Sequence, residues 1–346
     1  MKKSKFFLTA TAVTALMGCS LAQAAADAPR KYLTLAVSEG TSGLRDPAAL
    51  IDKYAPFANA LSGKGEREVR ITPVVSFKEL DAGMKSGEYD FVMARPADYP
   101  ARGVRDYGYR ALMKGKGSGS IIFIADKKSD MKTASDMVGR RIGIPEETSY
   151  AAKVVMAALA EQKILLKDTK FTYHKEQEVI GYAVGVGMMD AGAVMTYSKT
   201  GREWEKNGGK VIYRGRNLPF QPFIASNKVS GADAERVRAR AIALGETPEG
   251  QAILKAAGMP LMEKLDDPRV LTDLLAYLDT GKTASAGAKP QETMTSILAN
   301  NAVDDAGPRR ARAVIIPNKP NSVASAQPAA RNPALTAAAD KPANVR

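Results

Sequence analysis

The stretch Gly139–Gln162 (GRRIGIPEETSYAAKVVMAALAEQ) narrows the choices for this chain more than any other. Arg141–Ile144 is short and apolar, as a strand is, and Pro145–Glu147 turns it. Thr148 or Ser149 is placed to cap a helix in which Val154, Val155, Ala158 and Leu159 recur at helical spacing. Such a strand–turn–helix predicts an α/β domain. Free N–H groups at the helix start, two hydroxyls and the positive end of the helix dipole together make a socket for an anion. An ordinary capped helix shows the same pattern, so the surrounding chain has to decide between the two.

The chain opens with Lys2, Lys3 and Lys5, then an apolar run Phe6–Met17, then Ala22-Gln23-Ala24. This is the order of a secretory signal, with an apolar segment too short to span a bilayer. Residues 1–24 are expected to be removed, leaving a soluble exported protein. Leu16-Met17-Gly18-Cys19 overlaps that signal as a lipobox-like alternative, and membrane anchoring follows only if Cys19 is lipidated. With one cysteine and one histidine, His174, neither a Cys/His metal cluster nor a thiol nucleophile is expected. No cofactor is expected either. The net charge of +13 fits contact with anionic ligands or surfaces, and no nucleic-acid partner is predicted.

From Tyr32 the chain reads as alternating strands and helices. Tyr32–Val37 is a strand, and Ser38–Asp46 (SEGTSGLRD) is a loop at its carboxyl end, where open α/β sheets place ligands. That puts Ser38 and Thr41 among the candidates. Leu50–Leu61 is a helix with Ile51, Tyr54, Phe57, Ala58 and Leu61 on one face. Val69–Val75 and Phe77–Lys85 follow as strand and helix. Gly87–Pro96 (GEYDFVMARP) is a glycine turn and buried strand that stops at Arg95, with Tyr99 just beyond. An arginine at a strand end suits bidentate binding of an oxyanion, and it suits a surface ion pair equally.

Ser120–Ala125 is taken as the first crossing between two lobes, and Leu218–Ser226 as the return. Between them lie a strand at Lys170–Tyr173, a helix at Glu178–Val186, a small-residue strand ending near Tyr197 and Ser198, and a strand at Lys210–Tyr213. Ala232–Leu244, Glu249–Ala257 and Pro268–Leu278 close the domain as helices. The expected division is 32–120 with 225–280 as one lobe and 121–224 as the other. From Gly281 to Arg346 the composition turns to Ala, Pro, Ser, Asn and basic residues, read as a disordered basic tail.

The segments Gly87–Tyr99, Asp136–Ser149 and Gln177–Val194 (QEVIGYAVGVGMMDAGAV) in this order resemble the periplasmic substrate-binding proteins of ABC transporters for phosphate, phosphite and phosphonates. The resemblance covers about Tyr32 to Leu278. It implies a two-lobed α/β architecture of the type II periplasmic binding fold, each lobe a mixed sheet flanked by helices. It also implies a monomer without enzymatic activity that closes on a small anionic or zwitterionic ligand and delivers it to an ABC permease. By resemblance, Thr148 and Ser149 are the hydroxyl pair at the helix start, and Tyr99 and Tyr54 are cleft tyrosines. Gln177 stands where that family has a histidine. Glu147 stands where it has a serine, and suits the amine of a zwitterion. Two alternatives stand beside this reading: an envelope sensory or accessory module with the same fold, and an exported enzyme working through carboxylates such as Glu147 and Asp190.

Overall fold

The computed structural model describes residues 31–40 and 43–291. Residues 1–24 with Cys19, position Thr41 and everything beyond 291 lie outside the described residues. The chain runs β1 (Tyr32–Ser38), α1 (Pro47–Leu61), β2 (Glu68–Pro73), α2 (Phe77–Ser86), β3 (Phe91–Ala94), α3 (Asp98–Asp106) and β4 (Tyr109–Gly119). It continues through β5 (Ile121–Ala125), β6 (Arg141–Pro145), α4 (Tyr150–Glu161), β7 (Lys170–His174), α5 (Gln177–Gly185), β8 (Ala191–Met195), α6 (Lys199–Lys206) and β9 (Lys210–Arg214). Next come β10 (Leu218–Ser226), α7 (Gly231–Ala243), α8 (Pro248–Ala256), β11 (Met262–Lys264) and α9 (Arg269–Ser285).

The strands form two sheets, ordered β11–β4–β10–β3–β1–β2 and β7–β6–β8–β5–β9. In the first, β1 lies parallel to β2 and β3, while β10 runs antiparallel to β3 and β4. In the second, β6 lies parallel to β7 and β8, and β5 runs antiparallel to β8 and β9. Alternation along β1 sends Leu33, Leu35 and Val37 to one face, where they pack with Leu50, Tyr54, Phe57 and Leu61 of α1. Ala36 points to the other face, into a core that continues through Tyr99 and Ala101 of α3 to Phe123, Val155 and Phe171 of the second lobe. The outer face of the second sheet is closed by Ile180 and Val184 of α5 over Ile122, Ile124 and Val194.

Two crossings join the lobes side by side. The chain leaves the first sheet at Gly119 and enters the second at Ile121, and on its return Leu218 pairs with Gly119. The Ser120 hydroxyl donates to the Gly215 carbonyl at 2.9 Å, and the Gly215 N–H donates to the Ile121 carbonyl at 2.9 Å. Gly119 has to lack a side chain, because a Cβ there would lie 2.7 Å from the Tyr197 ring.

Several sequence expectations are corrected here. Residues 218–224, expected with the second lobe, belong to β10 and are part of the first sheet from Leu218 onward. The first helix begins at Pro47, capped by the Asp46 carboxylate on the Ala49 N–H, so its buried stripe contains Leu50 while Ile51 is 42% exposed. The helices at α3 and α6 and the strands β4 and β11 were not foreseen. In β4 the run Lys114–Gly119 (KGKGSG) lacks the β-branched and aromatic residues that mark strands. The change in composition at Gly281 does not end the ordered chain. α9 runs on to Ser285, and the Gln291 N–H donates to the Phe171 carbonyl at 2.8 Å. Gly281 and Ala284 look tail-like but are buried, because small residues are what a close helix–helix approach needs.

Candidate functional site

The parallel strands of both sheets end at a shared cleft, and the loops they release build its walls. This follows from topology, since the carboxyl ends of β1 and β3 in one lobe meet those of β6, β7 and β8 in the other. The first lobe contributes Glu39 and Gly40 after β1, Phe77 at the start of α2, and Arg95 with Pro96 after β3. The second contributes Pro145 and the α4 start, then Lys175 and Gln177 after β7, and Tyr197 after β8. The cavity between them measures about 120 Å³.

Glu39 organises the first-lobe wall. Its side chain is 3% exposed, and its Oε1 accepts from Lys53 Nζ at 2.5 Å and from the Tyr54 hydroxyl at 2.8 Å. Oε2 accepts the Leu44 N–H at 2.8 Å. Burial alone would raise its pKa; Lys53, the Leu44 N–H, Arg95 and Tyr54 outweigh that and hold the carboxyl below its ordinary range. Arg95 stands 4.0 Å from Glu39, with its side chain 41% exposed and one guanidinium N–H donating to the Gly258 carbonyl at 3.4 Å. Lys53 thus answers most of the Glu39 charge, and Arg95 retains donors for a ligand.

Across the cavity, α4 begins under Ser149, whose hydroxyl accepts the Ala152 N–H at 3.1 Å. The N–H groups of Tyr150 and Ala151, at the first two helical positions, have no carbonyl of their own helix to donate to. Both residues line the cavity. Together with the helix dipole they present positive potential to the same space as Arg95 and Lys175. Phe77, Pro96 and Tyr197 supply the apolar part of the wall; burial pushes the Tyr197 hydroxyl up to about 12 against the opposing pull of Arg95, so it is a neutral donor.

The sequence candidates are distributed unevenly about this cavity. Arg95, Ser149 and Gln177 line it, Ser149 with its oxygen engaged in the cap and Gln177 with its amide oxygen accepting the Met195 N–H at 2.7 Å. Thr148 is exposed and lies outside the wall. Glu147 is exposed as well and lines a different cavity, beside Asp98, Lys153 and Lys282, so no amine-binding role in the cleft follows from its place. Ser38 is buried behind the wall, its carbonyl accepting the Arg95 N–H at 3.0 Å. Tyr54 is buried beneath Glu39, and Tyr99 stacks on Phe77 with ring centroids 4.6 Å apart. Thr41 lies outside the described residues. His174 bonds through Nε2 to the Thr172 hydroxyl at 2.8 Å, and burial pushes its pKa down. Sequence reasoning passed over Glu39 and Lys175. The rule that selected Ser38 and Arg95, a residue just past a parallel strand, selects them too.

The arrangement gathers positive potential in the cleft and keeps the two carboxylates named as possible catalytic groups apart. Asp190 is paired with Arg141, 2.6 Å from its guanidinium, at the start of β6, whereas Glu147 follows the end of that strand. The two carboxylates are thus separated by the strand length, roughly 15 Å at about 3.3 Å per residue. Among the described residues no cluster of three or more His, Cys, Asp or Glu is arranged to hold a metal. No described helix is long and apolar enough to cross a membrane.

Solved structures with the same architecture include XAC2383 from Xanthomonas citri, determined with chloride and with ATP. In its chloride-bound form it is 14% identical over 73% of this chain and 99% of its own, with a TM-score of 0.57. A binding-protein component of an ABC phosphonate transporter from Pseudomonas aeruginosa is 16% identical over 79% of this chain and 95% of its own, at a TM-score of 0.53. PhnD1 from Prochlorococcus marinus, solved with methylphosphonate, is 13% identical over 71% of this chain and 97% of its own, also at 0.53. At these identities the likeness shows the fold. Among curated protein sequences none matches. The profile of the family described as "ABC transporter, phosphonate, periplasmic substrate-binding protein" matches residues 44–268, well over half of the sequence. The chain belongs to that family: it is a substrate-binding protein of the ABC-transporter type, with the α/β two-sheet architecture of periplasmic binding proteins.

Proposed function

We propose that the cleft captures a small oxyanion of the phosphate, phosphite or phosphonate class, and that the lobes close on it before delivery to the permease. The observation that carries this reading is the meeting of Arg95, Lys175 and the α4 start in one small cavity. Three sources of positive potential converge there. The lone carboxylate in the wall, Glu39, is already answered by Lys53. Arg95 is the charge partner of the anion, and the Tyr150 and Ala151 N–H groups are its fixed donors. Ser149 acts by holding that helix start in place, and Gln177 by tying the start of α5 to β8 through the Met195 N–H. The protein works in the periplasm after cleavage behind Ala24, as a monomer, and performs no reaction on its ligand.

Isothermal titration of the purified protein with methylphosphonate, phosphite, phosphate and sulfate tests the reading. A phosphorus oxyanion is expected to bind, and Arg95→Ala to weaken it at least tenfold while the melting temperature of the free protein stays within a few degrees. Silence to every phosphorus oxyanion, or an Arg95→Ala variant that binds as well as the wild type, would overturn it.

A further inference from the structure

Beside the cleft, on the flank where α3 of the first lobe meets α4 of the second, a buried ion pair spans the two lobes. Asp98 opens α3, and its side chain is 2% exposed. Its Oδ2 takes Lys153 Nζ of α4 at 2.7 Å, with Arg102 farther off at 3.7 Å. Lys153 and Arg102 also lie over the Tyr99 ring, 5.6 Å and 4.8 Å from its centroid, and Tyr99 stacks on Phe77 of the cleft wall. The contact is therefore continuous with the ligand site, though neither Asp98 nor Lys153 lines it.

The same seam is incompletely satisfied. Asp98 Oδ1 and the hydroxyls of Tyr150 and Tyr277 are buried with no hydrogen-bond partner. Tyr150 lies within electrostatic reach of both Asp98 and Tyr277, so the three form one neighbourhood between α3, α4 and α9. A carboxylate loses its hydration when it is buried, and the gain from its partner comes close to cancelling that loss. The pair sits beside the apolar core that the two lobes share, and adds to that contact a polar interaction that is itself near balance.

We propose that Asp98 and Lys153 form an interlobe catch: a buried, reversible contact that sets the open–closed balance of the cleft and thereby its affinity. Both are positioning residues, acting on the ligand through lobe closure. The asymmetry of the pair makes the idea testable. Lys153 is 35% exposed, whereas Asp98 is nearly sealed. Removing the lysine leaves the nearly sealed Asp98 with only the longer contact to Arg102 of its own helix while the lobes are together, so the lobes should part. Neutralising Asp98 in addition removes the stranded charge and should bring them back.

The catch rests on the proposed function only for its effect on affinity, so the primary readout needs no ligand. Spin labels at Asn59→Cys of α1 and Lys206→Cys of α6, in a full-length chain carrying Cys19→Ser, report the lobe separation by pulsed electron resonance. The ligand-free protein is expected to show a short-distance population that Lys153→Met depletes and Lys153→Met with Asp98→Asn restores. With methylphosphonate as the probe, Lys153→Met is expected to raise Kd at least tenfold, chiefly through faster release, and the double variant to recover most of that. An unchanged distance distribution in Lys153→Met overturns the catch, even if its Kd rises, because lysine would then act on the anion through charge alone. Expected distance shifts without methylphosphonate binding would uphold the catch and count against the proposed ligand class.

Discussion

At the scale of single residues, Glu39 is the least expected feature of an anion site. It stands in the wall as a carboxylate, yet three donors and Arg95 surround it. Removing it strands Lys53, which is 25% exposed and can partly rehydrate, so Glu39→Gln should cost roughly 1–3 kcal/mol of stability. The sign of the pH dependence follows from its lowered pKa. Burial opposes the shift, but Lys53, the Leu44 N–H, Arg95 and Tyr54 prevail. The folded state therefore binds this proton less readily than the unfolded chain, and the stabilisation is complete above the ordinary value of 4.5. It is lost as pH falls through the depressed folded value. Urea unfolding of wild type and Glu39→Gln at pH 7 and pH 3 checks this, and an equal difference at both would contradict it. Glu147 makes the opposite case. Because it lines another cavity, Glu147→Gln should leave affinity for the bound oxyanion within twofold, and aminoethylphosphonate should bind no tighter than methylphosphonate in calorimetric titration. Sequence reading located the correct strand ends, but it could not tell Ser149, at the wall, from Thr148, turned outward. That distinction depends on the φ and ψ of the cap, not on residue type.

At the scale of elements, α9 illustrates what composition hides. A Cβ at Gly281 would lie 2.8 Å from the Ala157 N and 2.8 Å from the Met156 Cβ, so the helix touches α4 at its backbone. Gly281→Ala should force the helices apart and cost about 1–3 kcal/mol, the usual penalty of overpacking, against the gain in propensity alanine brings to an exposed helix. A denaturant midpoint equal to or above the wild type would show the contact to be looser than described. The Ser149 cap is a second element-scale quantity: Ser149→Ala should destabilise by about 1 kcal/mol in the same assay. Strands and helices with clear periodicity, such as β1, β5, α4 and α7, were legible within a few residues. β4 was not, because its length comes from pairing with β10 and β11 on either side, which outweighs the poor strand propensity of its glycines and lysines. α6 escaped notice because only eight residues form it, and just Thr200 and Gly201 are buried.

At the scale of the whole molecule, each lobe alone is half a site. Glu39, Arg95 and Phe77 belong to the first sheet's loops, and Ser149, Lys175 and Tyr197 to the second's. The crossings at Gly119–Ile121 and Arg214–Leu218 are short and hydrogen-bonded to each other, and α9 packs on both α3 and α4, which keeps the lobes in register. A ligand gripped by both walls links their motions, because opening either lobe then breaks contacts of the other. Amide hydrogen exchange distinguishes this from binding to one wall. With saturating methylphosphonate, the segments 38–44 and 95–99 of the first lobe and 145–153, 174–178 and 195–199 of the second should all slow together, by a common factor. The outward helices α7 and α8, which pack against α1 on the far face of the first sheet, should change little below the threshold of global opening. Protection confined to the α4 start would mean an anion held by the helix N-terminus alone. In that case the cleft would not work as a jaw, and Arg95 would be a bystander.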